Sequence, residues 1–351
     1  MTPAGKPLVE VRNLVKHFPI TRGVIRQKKV GAVKAVDDVT FDVISGETLG
    51  IVGESGCGKS TTARLIMRLL EPTSGEVRFE GEDITKRKGA ALKSLRRDMQ
   101  MIFRDPDSSL NPRKTIGSSI AEPYVIHGLE TGEAARKKRV QELMQTVGLD
   151  PEHYSRYPHE FSAGERQRIV VARALALGPK LLVADEPVSS LDASAGGQLL
   201  RLLRRLQSEL SLTVIFIARD LSVVRHICDR VAVMYVGRIV ELAPGEALYG
   251  FPRHPYTGAL LAAVPVPRPL GGHRTRELLT GEQPSSADPP SGCHFHTRCP
   301  KAEQLCSGHE PPLADKGGGT VAACHFPLTR EEVDSRLPAI LTGVDAAAPP
   351  A

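Results

Sequence analysis

The segment with the clearest chemical potential is Gly53-Glu54-Ser55-Gly56-Cys57-Gly58-Lys59-Ser60, which fits a phosphate-binding loop at every fixed position. Glycines let backbone N–H groups close around phosphate oxygens, and the N-terminus of a following helix favours negative charge. We expect Lys59 to reach the β and γ phosphates of a nucleotide and Ser60 to hold Mg²⁺, with Thr61 among the nucleotide-binding residues. The alternative is a chance glycine-rich turn, which the flanking segments disfavour.

Two acids end an apolar segment farther along, Lys180 to Glu186. In a doubly wound sheet the ligand-binding residues lie beyond the carboxyl ends of the strands. Asp185 suits a water-mediated contact to Mg²⁺, and Glu186 suits a base that polarises an attacking water. An isolated Asp-Glu pair could also be a solvated strand end, but the intact phosphate loop upstream favours the functional interpretation.

Four of the six cysteines fall within the final sixty residues: Cys293, Cys299, Cys306 and Cys324. In a reducing compartment such a group indicates a metal before a disulfide. The gaps of five, six and seventeen residues do not match the spacing of about two to four that is usual for structural zinc pairs. Cys57 and Cys228 stand alone.

The elements that must position these residues follow from hydrophobic patterns. Apolar runs predict a parallel sheet with helices on both faces, from the segments Thr48–Val52, Met99–Phe103, Lys180–Glu186, Thr213–Ala218 and Val231–Tyr235. Alternating segments predict an outer antiparallel layer: Leu8–Leu14, Val39–Val43 and Glu76–Phe79. A polar, basic loop is expected from Thr21 to Lys34.

Helical patterns dominate from about residue 105 to 179, where Gly148 is expected to end one helix as a left-handed cap. From Pro244 the composition shifts to proline and glycine, with an extended linker at 265–272 that leads into a small appended domain. We therefore predict a first domain at 1–245 with a helical insertion, an extension at 246–335 that contains the cysteines, and a disordered tail at 336–351.

Composition limits the possible partners. The 351 residues are 41% hydrophobic and 25% charged with a net charge of +6, which is ordinary for a globular protein. With no Trp and six Tyr, a stacking surface for nucleic acid is not expected. The N-terminus lacks an apolar core of signal-peptide type, and no run of about eighteen apolar residues occurs. The chain is expected to be cytosolic or peripheral to a membrane.

The segment from Phe161 to Arg168 (FSAGERQR) resembles the signature motif of ABC transporter ATPases. Four shorter matches are similar to the family's D-loop, Q-loop, H-loop and adenine-stacking A-loop position: Ser190-Leu191-Asp192, Phe103 to Pro106, Arg219-Asp220 and Phe18. The resemblance covers roughly residues 8 to 245. It implies an α/β P-loop NTPase fold, the ABC nucleotide-binding domain with a RecA-like core, an antiparallel β layer and a helical subdomain.

The C-terminal segment is similar to the extension of oligopeptide and dipeptide importer ATP-binding subunits, through His254 to Leu261, Pro289 to Pro300 and Ala323 to Phe326. In that family two ATP-binding subunits pair head to tail beneath two membrane permeases. An extracytoplasmic peptide-binding protein delivers the peptide to the permeases. The resemblance implies ATP, Mg²⁺ and a place at the cytoplasmic face of the cell membrane. It also implies a [4Fe–4S] cluster at the four cysteines, with zinc, held in part by His294, His296 or His325, as the alternative.

Three departures from the family pattern affect the implied nucleotide site. Arg104 stands at the usual Gln of the Q-loop, Arg219 stands at the usual His of the H-loop, and the signature reads Ser162-Ala163-Gly164-Glu165. Arg104 cannot coordinate Mg²⁺, because guanidinium has no acceptor. Arg219 can hold a γ-phosphate but cannot exchange a proton near neutral pH. The main hypothesis is an ATP-hydrolysing peptide-importer subunit; the alternative is a poorly hydrolysing subunit that pairs with an active ATPase.

Overall fold

The computed structural model describes residues 5–23, 28–129, 132–264 and 281–336. Its strands are β1 (Pro7–Arg22), β2 (Lys28–Ile44), β3 (Thr48–Val52), β4 (Ser74–Phe79), β5 (Glu82–Asp83), β6 (Met99–Ile102), β7 (Leu181–Asp185), β8 (Thr213–Ala218), β9 (Arg230–Tyr235), β10 (Arg238–Pro244), β11 (Ala314–Asp315) and β12 (Val321–Ala322). They form a four-stranded antiparallel sheet, in the order β2-β1-β4-β5, and an eight-stranded sheet, in the order β11-β12-β10-β9-β3-β8-β7-β6.

The helices are α1 (Lys59–Ile66), α2 (Gly89–Asp98), α3 (Pro106–Ser109), α4 (Ile116–His127), α5 (Glu133–Thr146), α6 (Ala163–Leu175), α7 (Ala193–Leu210), α8 (Leu221–Val224), α9 (Gly245–Gly250), α10 (Pro255–Ala263), α11 (Gln304–Gly308) and α12 (Arg330–Arg336). Helices α3 to α6 form the predicted helical insertion between β6 and β7. Gly148 ends the α5 turn with φ of 75°, as its predicted left-handed cap requires. No helix within the described residues is long and apolar enough to cross a bilayer.

The central strands β3, β7 and β8 of the larger sheet are buried on both faces, and each face belongs to a different core. Leu181 and Val183 pack with the antiparallel sheet and α1, whereas Leu182 and Ala184 pack with the helical insertion and α7. This division follows from the alternation of side chains along a strand. It explains why β3, β7 and β8 are continuous apolar runs, because a strand covered on both faces has no solvent side.

The predicted fold class is confirmed, but the larger sheet is mixed and not parallel throughout. Strands β3 and β6 to β9 run parallel to one another, whereas β10 returns antiparallel to β9. Val236 and Gly237 make the connecting turn, with φ of 40° and 81°. The sequence does not indicate this two-residue hairpin, because Val236 is an unusual residue for a left-handed position.

The predicted polar loop from Thr21 to Lys34 is wrong over most of its length. Strand β1 continues to Arg22 and β2 begins at Lys28, with pairs such as Phe18 with Val33 and Ile20 with Gly31. Long cross-strand pairing therefore replaces the loop. The predicted linker at 265–272 and the tail after residue 336 lie outside the described residues.

Candidate functional site

The phosphate loop connects the end of β3 to the start of α1 and depends on its glycines. Gly53 and Gly58 have φ of 153° and 110°. A Cβ atom on Gly53 would lie 2.1 Å from the carbonyl oxygen of Met234, and one on Gly58 would lie 2.1 Å from that of Ala35. Neither position can accept a side chain without moving the backbone. The loop therefore packs directly on the backbone of two neighbouring elements.

Lys59 is buried within the curve of this loop, with 4% of its surface exposed. Its Nζ donates to the carbonyl oxygens of Gly53, at 2.7 Å, and Glu54, at 2.9 Å. The ammonium group thus lies where the backbone can also present N–H groups to an anion. Ser55 and Gly56 are exposed at the tip, and Thr61 is half-buried in α1. Cys57 is fully buried, and burial raises the pKa of its thiol, so it packs as an apolar side chain.

Ser60 and Asp185 meet although 125 residues separate them in the sequence. The Ser60 hydroxyl donates to Asp185 Oδ1 at 2.8 Å. Burial raises the pKa of Asp185, so this carboxylate would gain from a nearby cation. A hydroxyl and a carboxylate oxygen side by side are suitable ligands for Mg²⁺, directly or through water.

Glu186 follows Asp185 and has a backbone conformation that is unusual for a glutamate, with φ of 50°. Its N–H group donates to the carbonyl oxygen of Ile217 at 3.0 Å, and its side chain is only 7% exposed. Left-handed residues of this kind occur where a surrounding structure fixes them, often at functional sites. The turn holds the carboxylate beyond the end of β7.

Arg104 and Arg219 both contact Glu186. Arg104 Nε lies 3.2 Å from Glu186 Oε2, and Arg219 Nε lies 3.0 Å from Oε1. The three residues follow β6, β8 and β7, which are neighbours in the sheet in the order β8-β7-β6. Strand order therefore gathers them, because parallel neighbours end on the same side.

The predicted signature segment begins α6. Ser162 Oγ accepts from the Glu165 N–H group at 3.3 Å, and Glu165 Oε2 accepts from the Ser162 N–H group at 2.9 Å and its hydroxyl at 2.7 Å. This reciprocal capping box leaves Ala163 and Gly164 in the first turn. Asp192 caps α7 through the Ala195 N–H group at 2.9 Å. Among the described residues, Ser162 to Glu165 make no hydrogen bond or ion pair with the phosphate loop.

Phe18 lies on β1, where 37% of its surface is exposed. The Nζ atom of Lys16 is 5.1 Å from the centroid of its ring, a cation–π distance. The ring is thus available at the surface and is not part of the core.

The prediction of a [4Fe–4S] cluster is contradicted, and zinc finds no support either. Cys293, Cys299, Cys306 and Cys324 do line one small cavity. In the described ranges, however, no group of three or more Cys, His, Asp or Glu residues could hold a metal ion. Burial raises the pKa of Cys299 to about 11 and of Cys324 to about 12. All four are free cysteines, and their sequence spacing indicated their proximity but not their chemistry.

Two residues that the sequence did not single out as site residues also reach the phosphate loop. Arg298 forms an ion pair with Glu54, and the Tyr256 hydroxyl accepts from the Glu54 N–H group. They lie 244 and 202 residues from Glu54. No local pattern indicates these contacts, although both residues fall in the segments that resemble importer subunits, His254 to Leu261 and Pro289 to Pro300.

The fold and the site together define a nucleotide-binding protein of the phosphate-loop class, with Lys59, Ser60 and the acids Asp185 and Glu186 at the ends of parallel strands. Residues 36–189 match the family model described as ABC transporter. Residues 240–306 match the one described as oligopeptide/dipeptide transporter, C-terminal region.

The relatives extend over most of the chain. The oligopeptide transport ATP-binding protein AppF of Bacillus subtilis is 52% identical over 93% of this chain and 99% of its own length. The probable peptide ABC transporter ATP-binding protein y4tS of Sinorhizobium fredii is also 52% identical, over 91% of this chain and 89% of its own length. The chain belongs to the ABC transporter ATP-binding proteins that carry the oligopeptide/dipeptide C-terminal region.

Solved structures agree on the fold. A dimeric ATP-binding cassette in a post-hydrolysis state, bound to ADP and Pi, is 28% identical with a TM-score of 0.59, over 67% of this chain and 98% of its own length. The cbiO1 protein of Clostridium perfringens, part of an ABC transporter complex, is 26% identical with a TM-score of 0.60, over 69% of this chain and 90% of its own length.

Proposed function

We propose that this chain binds ATP with Mg²⁺ and hydrolyses it to drive an importer of oligopeptides or dipeptides. The observation that carries the proposal is the meeting of Lys59, the Ser60–Asp185 pair and Glu186 beyond the ends of β3 and β7. The names of the relatives, which are oligopeptide and peptide transport proteins, support the substrate class. The alternative of a poorly hydrolysing subunit finds no support among them.

Each residue of the site has a proposed role. The backbone from Gly53 to Thr61 surrounds the phosphates, and Lys59 exchanges its two carbonyl partners for phosphate oxygens. Ser60 and Asp185 would hold Mg²⁺, which would supply positive charge that offsets the charge of the phosphates. Glu186 orients and deprotonates the attacking water. Phe18 stacks on the adenine through its exposed ring.

We further propose that the nucleotide site is completed by a second ATP-binding subunit, in a heterodimer. The exposed Ser162 and the first turn of α6, with Asp192 at the start of α7, face the partner's nucleotide. Helix N-termini attract phosphate, which links ATP binding to pairing of the subunits. The two ATP-binding subunits lie at the cytoplasmic face of the membrane, beneath two membrane permeases. A peptide-binding protein delivers the peptide to these permeases. The division at about residue 245 between the ATP-binding domain and the extension stays a prediction.

The proposal is tested by the affinity of Lys59→Ala for a labelled ATP analogue in the presence of Mg²⁺. The substitution removes the charge on the β and γ phosphates, so we expect affinity to fall at least about a hundredfold. Lys138→Ala, on the exposed face of α5, is the matched control and should bind as the wild type does. Equal affinity in the two variants would place the nucleotide elsewhere. Peptide-stimulated ATP hydrolysis by the transporter reconstituted with its permeases then tests the substrate class.

A further inference from the structure

The C-terminal extension makes a built contact with the phosphate loop. Arg298 donates from Nη1 to Glu54 Oε2 at 2.7 Å and from Nη2 to Glu54 Oε1 at 3.1 Å. The Tyr256 hydroxyl accepts from the Glu54 N–H group at 2.9 Å. The extension therefore holds both the side chain and the backbone of one loop residue.

The guanidinium group of Arg298 has little freedom to move. Its side chain is only 6% exposed, and its central carbon lies 6.0 Å from the centroid of the Tyr235 ring. The Tyr235 ring packs in turn against those of Tyr256 and Phe295, at centroid distances of 4.6 Å and 5.3 Å. An Arg–carboxylate pair with two hydrogen bonds and a buried guanidinium group is more rigid than a surface ion pair.

The position of Glu54 matters for nucleotide binding because its backbone and its charge both belong to the loop. Its carbonyl oxygen accepts from Lys59 Nζ at 2.9 Å and from the Cys57 N–H group at 3.4 Å. Its carboxylate is a negative charge beside a site for phosphates, and such charges repel. Arg298 compensates this charge, and the Tyr256 hydroxyl fixes the backbone that carries it.

We propose that Arg298 and Tyr256 are positioning residues of the nucleotide site, through which the extension of this chain sets the charge and conformation of its own phosphate loop. They act through Glu54 and need not touch ATP. The inference rests on the proposed binding of ATP at this loop. It gives the extension a role in nucleotide affinity and not only in packing.

The test is a double-mutant cycle in the full-length chain, with the dissociation constant of a labelled ATP analogue as the readout. Arg298→Gln leaves the Glu54 carboxylate uncompensated, and we expect affinity to fall about tenfold. In a Glu54→Gln background the same Arg298→Gln change should alter affinity less than about threefold, because no charge remains to compensate. Tyr256→Phe, which removes only the hydroxyl, should weaken binding about threefold.

The control is Arg330→Gln, which removes the same charge from an exposed site of the extension, where Arg330 pairs with Asp334. Its affinity should equal that of the wild type. Unchanged affinity in Arg298→Gln overturns the inference, and so does an equal loss with or without Glu54, because that pattern indicates general damage to the fold. If the wild-type chain binds no ATP, the proposed function itself fails, which is a separate result.

Discussion

The Nε atom of Arg219 lies 3.0 Å from both carboxylate oxygens of Glu186. The Nε atom of Arg104 lies 3.2 Å from Oε2 of the same carboxylate. Guanidinium groups stay charged at any ordinary pH. In the proposed role of Glu186, the attacking water needs the carboxylate oxygens that the two arginines contact, so we expect the rate of hydrolysis to depend on both arginines.

Glu186→Gln should abolish hydrolysis while the chain still binds ATP. The amide cannot accept the proton of the attacking water, so kcat should fall at least about a hundredfold. The measurement is steady-state ATP hydrolysis by the assembled transporter, together with the affinity for ATP. Glu142→Gln, on the surface of α5, is the control. Substantial hydrolysis by Glu186→Gln, above that of the partner's own site, would exclude Glu186 as the base.

Arg104→Gln should raise kcat by about threefold, because it removes one of the two ion pairs and introduces an oxygen acceptor. Arg104→Lys keeps the positive charge and should leave kcat near that of the wild type. Adding Arg219→His to Arg104→Gln should increase kcat further. Single-turnover rates in the assembled transporter separate this effect from product release. A fall in kcat would show that Arg104 assists hydrolysis and does not restrain Glu186.

Glu165→Gln should tighten ATP-dependent pairing of the two ATP-binding subunits. The carboxylate of Glu165 accepts hydrogen bonds from the hydroxyl and the N–H group of Ser162, and these bonds lower the pKa of Glu165. The carboxylate therefore stays negative at the place where the partner's phosphate should approach. Neutralising it should strengthen pairing about threefold. Sedimentation in the Glu186→Gln background measures this, with Glu133→Gln as the control. Weaker pairing would mean that the capping box matters more than the charge.

Glu241 should make the free energy of unfolding depend on pH. It is fully buried on β10, where its oxygens accept from the N–H groups of Arg253 at 2.7 Å and His254 at 2.9 Å. Burial raises its pKa from 4.5 to about 7. Between these values the folded chain binds more protons than the unfolded chain, so this carboxyl lowers stability as pH rises to about 7.

The neighbouring His254 has the opposite effect, because burial lowers its pKa from 6.5 to about 3 and its contribution to stability rises with pH. Both Glu241→Gln and the wild type retain His254, so its contribution cancels when the unfolding free energies of the two chains are subtracted. The difference in unfolding free energy should shift in favour of the variant by up to about 3 kcal/mol between pH 4.5 and 7. Urea unfolding at several pH values measures it. A difference that does not change with pH would contradict the raised pKa.

Local patterns were sufficient for the central strands and the phosphate loop. Thr48–Val52 and Thr213–Ala218 were predicted with the bounds that the structure has, because each is a short apolar run that polar or glycine-containing segments delimit. The loop was recognisable because its glycine positions are fixed by close backbone contacts.

Contacts that depend on strand order or on distant segments could not be predicted in the same way. The family motifs mark Arg104 and Arg219 individually, but their joint contact with Glu186 follows from the placement of β7 between β6 and β8. The pairing of Arg298 with Glu54 spans 244 residues. The grouping of the cysteines predicts a metal, yet the same grouping arises from partly buried thiols around a cavity.

The pairing of β12 with β10 has a consequence for self-association. Glu241 and Leu242 pair with Ala322 and Val321, and the Ala323 N–H group donates to the carbonyl oxygen of Val240 at 2.8 Å. Without these partners β10 would be an exposed sheet edge with free backbone groups and apolar side chains, which is a template for aggregation. A chain cut after Pro244 should therefore aggregate through this edge. By covering the edge of β10, the extension also prevents edge-to-edge association between copies of the chain.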